Sequence, residues 1–85
     1  MNILFHKKFS KQYRKLTRIQ NAVDERLSLF SQDPFHPKLN NHALIGIYQG
    51  YRGINITGDY RAVYELIDKN VAHFVDLNNH NNLYE

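Results

Sequence analysis

Tyr60-Arg61-Ala62-Val63-Tyr64-Glu65-Leu66-Ile67-Asp68 is the stretch that decides how this chain folds. It alternates Tyr60, Ala62, Tyr64 and Leu66 with Arg61, Val63, Glu65 and Ile67. A two-residue period is that of a strand. Both sets contain apolar side chains, so the parent sheet is expected to be covered on one face and half buried on the other. If Ala62, Tyr64 and Leu66 face the cover, Arg61 points to the more open face.

Turns bracket this strand. Gly58-Asp59 precedes it and Asp68-Lys69-Asn70 follows it. Upstream, Tyr51 to Thr57 sets Ile54 and Ile56 against Tyr51, Gly53 and Asn55. Downstream, Val71 to Leu77 reads as the last strand. Asn78 and Asn79 are expected to break it, and a short turn then carries His80 to Tyr84. Strands joined by such tight turns form an antiparallel meander.

Nearer the N-terminus the period changes. Ile3-Leu4-Phe5 reads as a short first strand, but Phe9, Tyr13 and Leu16 are spaced as one face of a helix over Lys7 to Leu16. Thr17 is a candidate N-cap for a second helix, because its hydroxyl can accept from an orphan N–H. Ile19, Ala22, Val23, Leu27 and Phe30 form that helix's apolar stripe. Asp33-Pro34 ends it, since proline disfavours helical geometry in the residue before it. Phe9, Tyr13, Ile19 and Phe30 are read as core. Phe35 to Asn41 is a loop. The order β-α-α-β-β-β is α+β: a helical hairpin packed on one face of a small, mainly antiparallel four-stranded sheet, as one domain over residues 1–85.

The chain has no cysteine, which excludes disulfides and thiolate metal sites and suits a reducing compartment. Its N-terminal apolar run is too short for a signal peptide or a membrane span. A cytoplasmic protein with no membrane partner is expected. The net charge of +3 is unevenly spread. Residues 1–31 hold seven Lys and Arg against two acids, and residues 32–85 hold four against six. Lys7, Lys11, Lys15 and Arg18 form a charged stripe if the helical path continues. Such a stripe is either a solvated face or an attractor for nucleic acid or an acidic partner.

Several side chains could carry chemistry. Arg61 offers a planar fork of donors for a phosphate, or a salt bridge to Glu65 or Asp76. Arg52 follows the Gly50-Tyr51 turn and is either an assisting cation or a surface charge. His80 lies in a polar run past a strand end and titrates near neutrality, so it can move protons. His42 sits in a similar loop. Five histidines without a compact pair and without cysteine do not make a metal site, so no metal or cofactor is expected. Tyr84 is a stacking platform or a plug for the core edge. No phosphate-binding glycine loop or nucleophile elbow is present.

Four pieces in order resemble the RelE/ParE superfamily of toxins from bacterial type II toxin–antitoxin pairs, and within it the YafQ-like mRNA interferases. They are His42-Ala43-Leu44-Ile45-Gly46, Gly50-Tyr51-Arg52, Gly58-Asp59-Tyr60-Arg61-Ala62-Val63-Tyr64 and His80-Asn81-Asn82-Leu83-Tyr84. The resemblance implies ribosome-dependent cleavage of mRNA, and an antitoxin protein that wraps the toxin and blocks its site. His80 and Tyr84 match the terminal catalytic pair, His42 the loop His, Asp59 the Asp of the turn and Arg61 the Arg on the scissile phosphate. The sequence departs at two positions: Asn55 stands where such toxins have a second His, and Asp76 where they have an Arg. That shifts phosphate binding to Arg61 and Arg52 and leaves Asp76 to orient His80 or pair with Arg61.

The mechanism then expected is metal-independent, with the RNA 2′-OH as nucleophile. His80 is the general acid, His42 or Asp59 the base, Arg61 the stabilising cation with Arg52 assisting, and Tyr84 orients a nucleotide. Lys7, Lys11, Lys15 and Arg18 would dock on ribosomal RNA. Two other readings share the fold: a ParE-type inhibitor of DNA gyrase, and a noncatalytic member that only binds its antitoxin or RNA.

Overall fold

The computed structural model describes residues 1–83. Its sheet orders the strands Asn2–Phe5 (β1), Val71–Asn79 (β5), Tyr60–Asp68 (β4), Arg52–Asn55 (β3) and His42–Ala43 (β2) from one edge to the other. Strands β4 (Tyr60–Asp68) and β5 (Val71–Asn79) form the centre of this sheet as an antiparallel pair. β3 (Arg52–Asn55) pairs antiparallel with β4, and β1 (Asn2–Phe5) pairs parallel with β5. The α+β class, the helical hairpin and the mainly antiparallel sheet are as the sequence pattern predicts.

The strand count is not. A fifth strand, β2 (His42–Ala43), pairs antiparallel with β3. Two residues are too few to show a period, so this piece reads as loop until Gly53 and Arg52 supply its ladder. β5 also runs through Asn78 and Asn79, which the sequence reads as breakers. They pair with Arg61 and Tyr60 of β4, and those ladder positions override weak local preference.

Helix α1 (Lys7–Lys15) is capped by His6, whose Nδ1 accepts from the N–H of Lys8 at 3.0 Å. Thr17 is not an N-cap. It opens a 3-10 turn, Thr17–Ile19, that leads into α2 (Gln20–Gln32), and no side chain caps that helix. α2 stops before Asp33-Pro34, as proline requires. Both helices lie on one face of the sheet. Phe9, Val23 and Phe30 are buried there against Ile54, Ile56, Ala62, Tyr64, Phe74 and Leu77. Phe30 meets the rings of Tyr64 and Phe74 at 4.9 and 5.2 Å in edge-on contacts. Tyr13 and Ile19 pack on the same cluster, so all four aromatic and aliphatic residues read as core belong to it. Leu66 does not: it is half exposed near the far end of β4.

A second, smaller cluster covers part of the other face. Leu44 and Val63 are buried with Tyr48, Tyr51 and Val75 around them. A 3-10 turn, Gly46–Tyr48, carries Tyr48 onto the sheet. Gly46 opens this turn at φ +73° and Gly50 follows it at +92°, a region in which a Cβ is strained. One register shift organises this face. Val63 pairs with Asp76 but Tyr64 pairs with Phe74, leaving Val75 as the extra residue of a bulge. Strict alternation would send Asp76 to the helix side with Ala72 and Phe74. The bulge moves the phase by one, so Leu77 enters the main core and the carboxylate goes to the other face.

Candidate active site

At one end of the sheet Gly58, Asp59, Tyr60, Arg61, Asn79, His80 and Asn81 line an open cavity of about 450 Å³. The antiparallel register brings these segments together. The start of β4 lies beside the end of β5, with Tyr60 opposite Asn79 and Arg61 opposite Asn78. The β3–β4 turn is shaped by Thr57, whose Oγ1 accepts from the N–H groups of Asp59 and Tyr60 at 3.2 and 3.1 Å. The short helix α3 (His80–Leu83) is tied to this turn, for the N–H of His80 donates to the carbonyl of Asp59 at 2.7 Å. Main-chain geometry thus sets where the imidazole leaves the backbone relative to Asp59 and Arg61.

Arg61 is half buried. Its Nη1 donates to the carbonyls of Thr57, Gly58 and Tyr60 at 3.0, 3.2 and 3.1 Å. A guanidinium carries five N–H donors in one plane. Bonds made through a single terminal nitrogen fix that plane and use only part of the donor set. Neither salt bridge considered for Arg61 forms. Glu65 instead meets His73, with Oε2 3.5 Å from Nδ1.

Asp76 neither orients His80 nor pairs with Arg61. It is 3% exposed, and its Oδ2 accepts from the hydroxyl of Tyr48 and from Lys8 Nζ, the latter at 3.0 Å. Its Oδ1 accepts from the N–H of Leu77 at 2.8 Å. The bond to Asp76 raises the pKa of Lys8. Burial raises that of the Tyr48 hydroxyl, and its bond to Asp76 adds to the effect. This trio was not legible in the sequence. Lys8 reads as one more base of a basic helix, and Tyr48 as one more aromatic of a loop.

The other expected site residues lie elsewhere. His42 is opposite Gly53, so β3 separates it from β4, and it does not line the cavity; its Nδ1 is 2.7 Å from the carbonyl oxygen of Asn40. Arg52 is not beside Arg61. Its Nε donates to Asn41 Oδ1 at 2.9 Å and its guanidinium lies over the Phe35 ring, 5.4 Å from the centroid. Asn41 Nδ2 in turn donates to the Tyr64 hydroxyl at 2.7 Å. Lys7 and Lys11 are exposed on α1. Lys15 and Arg18 line a second cavity, which Asp59 and Tyr60 also border. Tyr84 lies outside the described residues. Among the described residues, no helix is long and apolar enough to cross a membrane.

A helical hairpin on one face of this open sheet is the architecture of the RelE/ParE superfamily of toxins, and the chain shares it over nearly its whole length. The crystal structure of YafQ from E. coli strain BL21(DE3) superimposes with a TM-score of 0.81 at 21% identity, covering 99% of this chain and 98% of that one. More narrowly, the model of the bacterial toxin of type II toxin–antitoxin systems, YafQ, matches residues 1–85, and the chain belongs to that family. YafQ in the E. coli DinJ–YafQ toxin–antitoxin complex gives a TM-score of 0.79 at 22% identity, covering 99% and 97%. A metal-bound toxin from Helicobacter pylori gives 0.78 at 26%, covering 99% of each chain. No curated protein matches the sequence.

Proposed function

We propose that this toxin is an endoribonuclease that cleaves mRNA on the ribosome, with the Asp59–Arg61–His80 cavity as its active site. The observation that carries the reading is the convergence of a carboxylate, a guanidinium and an imidazole on one open cavity, with His80 tied to Asp59 through the main chain. These are the groups that transesterification of RNA needs: a base, an acid and a cation on the non-bridging oxygens.

In the proposed reaction, Asp59 takes the proton of the 2′-OH. The 2′-oxygen forms a bond to phosphorus, and the bond from phosphorus to the 5′-oxygen breaks. His80 gives its proton to that leaving oxygen. The products are a 2′,3′-cyclic phosphate and a 5′-hydroxyl. Arg61 stabilises the charge that builds on the phosphoryl oxygens. Its plane is already held by three carbonyls, so little reorganisation accompanies the reaction. The shared cavity supports Asp59 over His42 as the base. Arg52 supports the loop that leads to His42 rather than the phosphate, and Tyr84 orients a nucleotide. Lys7 and Lys11 attract ribosomal RNA. The E. coli DinJ–YafQ complex supports an antitoxin protein as the partner that silences the site.

The test is a translation extract programmed with one defined mRNA, with wild type or His80→Ala, and with or without ribosomes. Primer extension maps the cuts. Cuts made by wild type alone, only with ribosomes, and ending in a 5′-hydroxyl are expected. Absence of cuts from either protein would overturn the reading, and a gyrase supercoiling assay would then follow.

A further inference from the structure

The second cavity, also about 450 Å³, adjoins the first, and Asp59 and Tyr60 border both. Its opposite wall is the connection between α1 and α2. Lys15 and Arg18 bring two cations, and Leu16 and Ile19 an apolar floor. Lys15 and Arg18 are exposed, and neither forms an ion pair among the described residues. Leu16, Ile19 and Tyr60 also pack against the main core, so the floor and the dividing wall are fixed by the fold. The volume is within the range of about 300–1,000 Å³ typical of small-ligand sites.

This combination selects the ligand class. A free inorganic anion would need only the cations, and an apolar ligand only the floor. A nucleotide presents both an anionic phosphate and a flat apolar base, and bases stack on aromatic rings. We infer that Lys15, Arg18 and Tyr60 form a subsite for the nucleotide next to the scissile phosphate. The phosphate of that nucleotide lies on the two cations, and its base on Leu16, Ile19 and Tyr60. The inference rests on the RNA-cleaving reading of the adjoining cavity. It also divides the basic stripe of the sequence: Lys7 and Lys11 belong to the same stripe but line neither cavity.

Binding of single-stranded RNA of two to six nucleotides, followed by fluorescence anisotropy in the His80→Ala protein, in which cleavage is expected to be slow, tests this. Affinity is expected to step up on the order of tenfold at the length that first fills the second cavity. Lys15→Gln/Arg18→Gln is expected to abolish the step and to lower the salt slope by about 0.7 for the lost phosphate contact. Lys7→Gln/Lys11→Gln removes the same charge and is expected to keep the step. All four positions are exposed, and melting curves verify that both variants fold. Equal losses in the two double variants, or no step in the parent, would overturn the subsite. The extract assay separates the two ideas. Cleavage with a step-free binding curve rejects the subsite alone, whereas a Lys15- and Arg18-dependent step without cleavage rejects the nuclease and leaves an RNA-binding cavity.

Discussion

Two charged centres lie on this sheet, and they differ in what surrounds them. At the end of the sheet, Asp59, Arg61 and His80 border an open cavity. Further along β5, Asp76 is buried beneath Tyr48 and held by Lys8. Residue type alone would rank Asp76 as highly as Asp59. Their surroundings separate them. A buried carboxylate with all its bonds made inside the protein braces the loop that covers the second face, and nothing is left for a substrate. In the proposed site the backbone is fixed and the side chains border an open cavity, so they can meet a substrate there.

Mutation can break that contrast most sharply at His80. His80→Ala is expected to lower the cleavage rate by roughly 10²–10⁴-fold, the usual contribution of a general acid. Its melting temperature should stay close to wild type, since exposed positions seldom shift stability by more than about 0.5 kcal/mol. Single-turnover cleavage and thermal melts check both halves. Arg61→Lys should follow at about 10²–10³-fold, because a point charge replaces a fork anchored to three carbonyls. A fall in rate with unchanged RNA binding is the expected signature.

At the buried centre the ranking reverses: stability moves and chemistry does not. Lys8→Met should cost about 2–3 kcal/mol in urea unfolding. That is below the usual penalty for orphaning a buried charge, because half of the Lys8 side chain is exposed and water screens the pair. Asp76→Leu made with Lys8→Met should recover much of the loss, since no buried charge then remains. A fully additive double variant would show that the pair is not coupled.

The smallest effect is one of pH. Lys8 and Tyr48 both have folded pKa values raised above their ordinary ones of 10.5 and 10.0. The folded state therefore keeps these protons when the unfolded chain has begun to lose them. Their contribution is complete below about pH 10 and is lost as pH rises through the raised values. Melting temperature should fall over that alkaline range, and less steeply in Asp76→Asn.

Much of the architecture was legible because its elements are long and periodic. β4 shows its two-residue alternation over nine residues, and α2 shows a stripe that ends at a proline. β2 was not legible, for two residues have no period. Asn78 and Asn79 read as breakers because their ladder partners, Arg61 and Tyr60, are distant in sequence. The proposed site was half legible. Asp59, Arg61 and His80 can be named from the motifs they share with a toxin family, but so can His42, which the fold leaves on the far side of β3.

The sequence by itself determined the long periodic elements, the helical hairpin and the central strands, and that a basic N-terminal third precedes a mildly acidic body. Period, proline and charge are local properties, so they can be read without knowing what touches what. Only the tertiary structure decided which charges face a cavity and which are buried. A one-residue bulge at Val75 turned Asp76 from the helix side to the other face, and a bond from the N–H of His80 to the Asp59 carbonyl joined segments about twenty residues apart. Register is cooperative across strands, and a single slip reverses every side chain beyond it. No local pattern carries that information.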